Sequence, residues 1–273
     1  MDFRHYSPEQ QVSLYKQAIK LREECGWGKQ RIAKALGLSN DTVKGWIYRG
    51  YSTLNKFNDF DNKPSYELGY VIGTVWGDGY LYFDKTCGTR GAYLIRLHVK
   101  DLDFINEFNK CICTILNKNK PYSVVLSKDG LYRMKCSCRS LFMFLEHPLD
   151  EQKSIIEGSR ETIIGFIRGF FDAEGGAYLF GTPTVRCYNS NRELLEYIKQ
   201  LLLNYLNIIS TTRLVYEKGR YNKKHDAYEL EIRRYSEIVK FYDNIGFAIG
   251  RKQQMLGKIT KWIEAKGNYR NKE

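Results

Sequence analysis

Glu67-Leu68-Gly69-Tyr70-Val71-Ile72-Gly73-Thr74-Val75-Trp76-Gly77-Asp78-Gly79-Tyr80 is answered later in the chain by Ile163-Ile164-Gly165-Phe166-Ile167-Arg168-Gly169-Phe170-Phe171-Asp172-Ala173-Glu174-Gly175-Gly176. At one constant offset Gly69 falls on Gly165, Gly73 on Gly169, Gly77 on Ala173, Asp78 on Glu174 and Gly79 on Gly175. Agreement at so many special positions marks an internal repeat. Glycine inside a helix costs about 1 kcal/mol relative to alanine. A row of glycines on one helical face is kept where another backbone must come close. The faces Gly69/Gly73/Gly77 and Gly165/Gly169/Ala173 are therefore expected to pack on each other about a pseudo-twofold axis.

Asp78 and Glu174 stand directly before Gly79 and Gly175, which suit left-handed helix C-caps. An acid in that place faces the negative end of the helix dipole. Two such acids at the same ends of two paired helices repel each other unless a cation lies between them. Hard oxygen ligands suit Mg²⁺, with Mn²⁺ as the alternative. Taken singly, either acid would pass for a solvated end residue, but the register of both copies argues against that.

The segments downstream of the two copies are parallel too. Residues 80–86 and 92–100 alternate as a strand pair, 101–116 reads as an amphipathic helix, 122–128 and 131–138 form a second hairpin, and a short helix lies near Leu141–Leu145. In the second copy strands near 177–180 and 184–189 precede a helix at Arg192–Leu206, a hairpin at 211–217 and 227–234, and a helix from Ser236. The expected fold class is α+β, a tandem αββαββα repeat plus a small all-α module. That module holds three helices, Pro8–Glu24, Gly28–Leu36 and Asp41–Arg49, with Ser39 or Asn40 as N-cap of the third. The expected division is a helical domain at 1–50, a linker at 51–64, first and second halves at 65–160 and 161–265, and a tail at 266–273.

With 273 residues, 43% of them hydrophobic, the chain can bury a sizeable core. No run approaches the ~18 unbroken apolar residues of a membrane span, so no membrane partner is expected. The N-terminal stretch lacks the apolar region of a secretion signal, and a soluble intracellular protein is expected. A net charge of +12 favours a polyanionic partner. The seven cysteines read as reduced thiols. Cys111/Cys113 and Cys136/Cys138 raise the question of zinc, but structural zinc prefers C-x₂₋₄-C spacing, Cys111 and Cys113 point to different sides of a helix, and Cys136 and Cys138 share a core-like strand face.

Val71–Gly79 and Ile167–Gly175 resemble the two motifs of the LAGLIDADG homing endonucleases, and the likeness runs from about Tyr66 to Ala265. The resemblance implies a central helix pair whose last acids, here Asp78 and Glu174, bind the metals that hydrolyse both strands of a long duplex site held by two β-saddles, leaving short 3′ overhangs. It also implies a basic residue near each scissile phosphate. Ile245-Gly246-Phe247 followed by Arg251-Lys252 nominates Lys252, with Lys153 as its approximate first-half counterpart. One departure is Trp76, where the second copy has Asp172; one turn back from the metal end, that position is expected to matter little for cleavage.

Strand parity then names the surfaces toward DNA. If Tyr93, Leu97 and Val99 face the helices, Arg96, His98 and Lys100 face the groove, as do Arg133, Lys135 and Ser137. In the second half Thr184, Arg186 and Tyr188 take that role with Glu229, Glu231 and Arg233. The hairpin tip carrying Lys218, Arg220, Lys223 and Lys224 suits phosphate contact. The stretch from Gln30 to Ile47 resembles a helix-turn-helix whose Asn40, Asp41, Lys44 and Tyr48, with the adjacent Arg49, would reach the major groove. The expected partner is double-stranded DNA, bound by a monomer, and intron RNA is the second candidate. The rival reading is a non-cleaving binder on the same scaffold, an RNA maturase or a transcriptional regulator. An intein would open on Cys or Ser and close on His-Asn, unlike Met1 and Asn271-Lys272-Glu273.

Overall fold

Two serines start the two repeated helices. In the computed structural model, which describes residues 3, 6, 8–51, 60–87, 91–218 and 225–270, Ser65 accepts from the Leu68 amide at 3.2 Å and opens α4 (Tyr66–Trp76). Ser159 accepts from the Thr162 amide at 3.1 Å and opens α8 (Arg160–Glu174). Each satisfies an otherwise unpaired first-turn N–H. Glu67 and Glu161 in the first turns complement the positive end of the dipole.

The two helices share the most extensive contact between any two elements of the molecule. Their glycines leave no room for a side chain. A Cβ at Gly73 would strike the Phe166 carbonyl and lie 2.9 Å from the Phe170 amide nitrogen. At Gly165 it would strike the Tyr66 carbonyl and lie 2.9 Å from the Tyr70 amide nitrogen. Gly69 and Gly169 meet the opposite helix in the same way. The expected glycine-faced pairing is thus the centre of the fold.

Each half wraps a four-stranded antiparallel sheet around this pair. The first comprises β1 (Tyr80–Asp84), β2 (Ala92–Val99), β3 (Val125–Leu126) and β4 (Tyr132–Ser137) in the order β1-β2-β4-β3. The second comprises β5 (Gly175–Tyr178), β6 (Thr184–Asn189), β7 (Thr211–Tyr216) and β8 (Ala227–Ile232) in the matching order β5-β6-β8-β7. Helices α5 (Leu102–Ile115), α6 (Arg139–Glu146) and α7 (Leu149–Ile156) complete the first half. Helices α9 (Arg192–Leu206), α10 (Tyr235–Asn244) and α11 (Gly250–Arg270) complete the second. One continuous core runs through both halves, including Phe104, Phe108, Phe166, Phe170 and Phe241. Cys111, Cys136 and Cys138 are buried within it as small apolar side chains, and Cys113 is buried outside it.

Three expectations need correcting. Gly79 and Gly175 are not left-handed caps: Gly175 has φ −107° and ψ 176°, and neither residue has a positive φ. They are glycines because a Cβ would lie 2.9 Å from the Val75 Cα and 2.8 Å from the Phe171 carbonyl, respectively. Helix α7 is absent from the sequence reading because its eight residues show too short an apolar period. Helix α11 also escapes that reading and runs to Arg270, past the expected start of the tail at 266.

The N-terminal module is α1 (Pro8–Cys25), α2 (Lys29–Leu36) and α3 (Asn40–Tyr48) around its own core of Tyr15, Ala18, Ile32, Ala33, Leu38, Val43 and Trp46. Gly37 closes α2 at φ 65°, and Ser39 caps α3 by accepting from the Thr42 amide. Helices α2 and α3 are thus joined by a tight turn, with α1 packed against both.

Candidate active site and nucleic-acid interface

The ends of α4 and α8 bring the two acids together. Gly77 touches Ala173 so closely that a Cβ there would also lie 3.4 Å from the Glu174 Cγ. Asp78 occupies the turn after α4 and keeps a face open to solvent, while Glu174 is the last residue of α8 and is partly buried. Loss of surrounding water raises the Glu174 carboxyl to about 7, and the neighbouring Asp78 charge adds to the rise. The Asn189 side chain, donating at 3.3 Å, and Lys252 work the other way. Burial raises Asp78 as well, against the charge of Lys252.

Lys252 lies at the start of α11, only 8% exposed, and donates to the carbonyls of Phe171 at 3.3 Å and Asp172 at 2.5 Å. A cation there meets the negative end of α8. Burial lowers its pKa, and Asp172 is the strongest influence opposing that. An open cavity of about 260 Å³ joins Asp78, His98, Lys100, Asp101, Arg251 and Lys252.

Asp172 carries more than its place one turn back suggests. It is 1% exposed, accepts from the Tyr70 hydroxyl at 2.8 Å across the helix pair, and accepts from the amides of Ala248 and Ile249 just ahead of α11. Burial raises it to about 6 despite those bonds. The carboxylate thereby fixes the turn that delivers Lys252. Its sequence signal was available, an acid among the apolar residues of α8.

Lys153 does not share the site. Its ammonium pairs with Asp150 at 2.6 Å and lies over the Tyr197 ring, on the outer side of α7. The neighbouring Gln152 is the residue that points inward. It is fully buried, accepts from the Trp76 indole at 2.8 Å and donates to the carbonyls of Phe144, Leu145 and His147. Trp76–Gln152 in the first half thus answers Asp172–Lys252 in the second.

The strand parities place the outer faces as expected, with two differences of detail. In the first sheet Arg96 faces Lys135 and His98 faces Arg133 across β2 and β4. Arg96 stacks on Tyr82 with 4.4 Å to the ring centroid, and Arg133 pairs with Asp129 at 2.5 Å. Burial and the charges of Arg133 and Arg96 lower the His98 pKa. Lys100 is exposed just beyond β2. In the second sheet Thr184, on the same strand face as Arg186 and Tyr188, is buried. Glu229 and Glu231 are not solvated either, being 1% and 5% exposed beneath Arg186, Arg213 and Arg233. Arg213, overlooked in the sequence, was signalled by the parity of β7. Lys218 is exposed, while Arg220, Lys223 and Lys224 lie outside the described residues.

The LAGLIDADG-like domain family matches residues 161–246. An uncharacterized protein of Methanocaldococcus jannaschii is 31% identical over 245 residues, spanning 86% of this chain and 87% of that protein. The homing endonuclease I-DmoI of Desulfurococcus mucosus is 28% identical over 167 residues, spanning 60% of this chain and 79% of that protein. The structure of I-DmoI in complex with DNA and Mn superposes with a TM-score of 0.51 at 25% identity, covering 67% of this chain and 97% of that one. The chain belongs to the LAGLIDADG homing-endonuclease family.

A LAGLIDADG chain with two motifs carries both halves of its centre in one polypeptide. The donor set suits a divalent cation. Two carboxylates crowd together without any group of three or more potential ligands among the described residues. Mg²⁺ is bound in this way, through one or two carboxylates, with the remaining oxygens supplied by water and substrate phosphate.

On α3 and at its C-cap Asn40, Asp41, Tyr48 and Arg49 are exposed and Lys44 is partly so. Arg22 of α1 lies 5.8 Å from the Tyr48 ring centroid. The module rests against the first half, where a Cβ at Gly50 would come within 2.7 Å of the Lys120 Cβ. Among the described residues no helix is long and apolar enough to cross a membrane.

Proposed function

We propose that this chain is a site-specific DNA endonuclease that acts as a monomer, hydrolyses both strands of a long duplex target and leaves short 3′ overhangs. The observation that carries the reading is the meeting of Asp78 and Glu174 at the ends of a glycine-faced helix pair, with Glu174 raised to about 7. Two acids held against their own repulsion are a site built for a cation. Asp78 and Glu174 would hold Mg²⁺ or Mn²⁺, which when bound activates water and neutralises charge on the attacking and leaving oxygens.

The chain's own residues do the rest. Lys252, fixed by the carbonyls of Phe171 and Asp172, directs positive charge into the cavity beside Asp78, where a phosphate under attack gathers negative charge. His98 and Lys100 line the same cavity and orient the phosphodiester. Arg96, Arg133 and Lys135 of the first sheet, with Arg186, Tyr188 and Arg233 of the second, grip the duplex from the two outer faces. Lys218, exposed just beyond β7, reaches the backbone. The helix-turn-helix adds a second DNA contact through Asn40, Lys44, Tyr48 and Arg49.

The test is incubation of the full chain with a randomised duplex library and Mg²⁺, with sequencing of cut ends. A common site with paired staggered ends supports the reading. Enrichment of bound duplexes without any cut end moves the chain to the non-cleaving binders, whether RNA maturase or transcriptional regulator.

A further inference from the structure

The two outer sheet faces are built on the same registers but carry different charge. In the first sheet the central quartet is Arg96, His98, Arg133 and Lys135, with Arg96 opposite Lys135 and His98 opposite Arg133. In the second the corresponding quartet is Arg186, Tyr188, Glu229 and Glu231, with Arg186 opposite Glu231 and Tyr188 opposite Glu229. Two acids stand in place of two bases on a surface that meets a polyanion. Acids there weaken non-specific phosphate attraction, so their presence needs another reason.

Glu229 supplies it. It lies on β8 between its cross-strand neighbours Tyr188 on β6 and Arg213 on β7. It accepts from the Tyr188 hydroxyl at 2.8 Å, from Arg186 at 3.2 Å and from Arg213 at 2.6 Å, and it is 1% exposed. Burial alone opposes its ionisation, but the bonds from Tyr188, Arg213 and Arg186 win and hold its pKa below the ordinary range. The Arg186 and Arg213 side chains remain 26% and 56% exposed, so each stays partly open to solvent, although the Arg186 Nε itself is buried. Arg186 is steadied further by the Tyr178 ring, 4.4 Å from its guanidinium carbon. An arginine on a flexible stem finds phosphate anywhere, whereas one tethered by a buried carboxylate has its fork aimed in advance. In the first sheet Arg96 also lies over an aromatic ring, that of Tyr82, but the carboxylate that pairs with Arg133, Asp129, is itself 49% exposed.

We propose that Glu229 is a positioning residue that presents Arg186 and Arg213 as fixed forks for base edges of duplex DNA, making the second sheet the sequence-reading half and the first sheet the electrostatic clamp. This rests on the reading that both outer faces contact DNA. Aimed forks suit the paired acceptors of guanine in the major groove.

The test is equilibrium selection of a randomised duplex library by the full-length protein without divalent cation, sequencing the bound fraction. For wild type a base-preference profile stronger on one side of the site centre is expected. Glu229→Gln and Arg213→Ala should flatten the same block of positions by about ten-fold in preference. Tyr188→Phe, which removes one hydroxyl, should flatten it less and keeps the test open if Glu229→Gln fails to fold. Arg96→Ala should weaken binding to all sequences and reduce the salt slope, leaving that block intact. Profiles unchanged in Arg213→Ala and Tyr188→Phe, or flattened equally on both sides, overturn the proposal while DNA binding stands. Failure of wild type to enrich any duplex overturns the DNA reading and the proposal together.

Discussion

Glu174 binds its proton near neutrality because it is short of water and faces Asp78. An ordinary glutamate in the unfolded chain titrates near 4.3. Between that value and about 7 the folded protein holds more protons than the unfolded one. Stability must therefore fall as pH rises through this window, and the loss is complete above it. In metal-free protein the Tm should drop between about pH 5 and pH 8, and Glu174→Gln should drop less. Added Mg²⁺ should raise the wild-type Tm most at the higher pH, since it binds the ionised pair. Parallel pH curves for the two proteins would contradict this origin of the raised carboxyl. Lys252 and Lys153 make a second test. Lys252→Met should reduce the cutting rate by roughly a hundred-fold or more, the scale of a lost preorganised charge, whereas Lys153→Met should leave it nearly unchanged. Both acids were legible in the sequence because they repeat in register. The first-half partner was not, because spacing cannot tell which of Gln152 and Lys153 points inward when α7 itself is unseen.

At the level of the element, the helix pair explains why glycine recurs every four residues. Gly73→Leu or Gly169→Leu would drive a side chain into the opposing backbone, which lies within 3.0 Å of even a Cβ. Overpacking against side chains costs about 1–3 kcal/mol, and backbone cannot move aside, so more is expected here. Chemical denaturation should show these variants destabilised or unfolded, and a near-native midpoint for either would disprove the packing. The helix faces, the strand parities and the Arg192–Leu206 helix were all readable, since each is a matter of local period. The conformation of Gly79 and Gly175 was not. Their need for glycine arises from contact with Val75 and Phe171, which C-cap statistics do not register. The burial of Glu229 and Glu231 was hidden for the same reason: parity gives the face of a side chain, not what covers it.

Over the whole molecule, a basic chain of two pseudo-symmetric halves carries a separate three-helix module with its own core. That separation predicts divided labour. A chain starting near residue 60 should still cut at high concentration but bind more weakly and protect a shorter stretch of DNA, because it loses a tethered second reader. An unchanged footprint and affinity would assign the module to a protein partner. Everything else depends on Asp78 and Glu174 forming the cutting centre together, and strand-resolved cleavage of a selected duplex in Mg²⁺ is the sharpest probe of that pairing. Asp78→Asn and Glu174→Gln should each retain duplex binding and lose double-strand cutting, while cutting at the wild-type rate by either variant would place the chemistry elsewhere in the molecule.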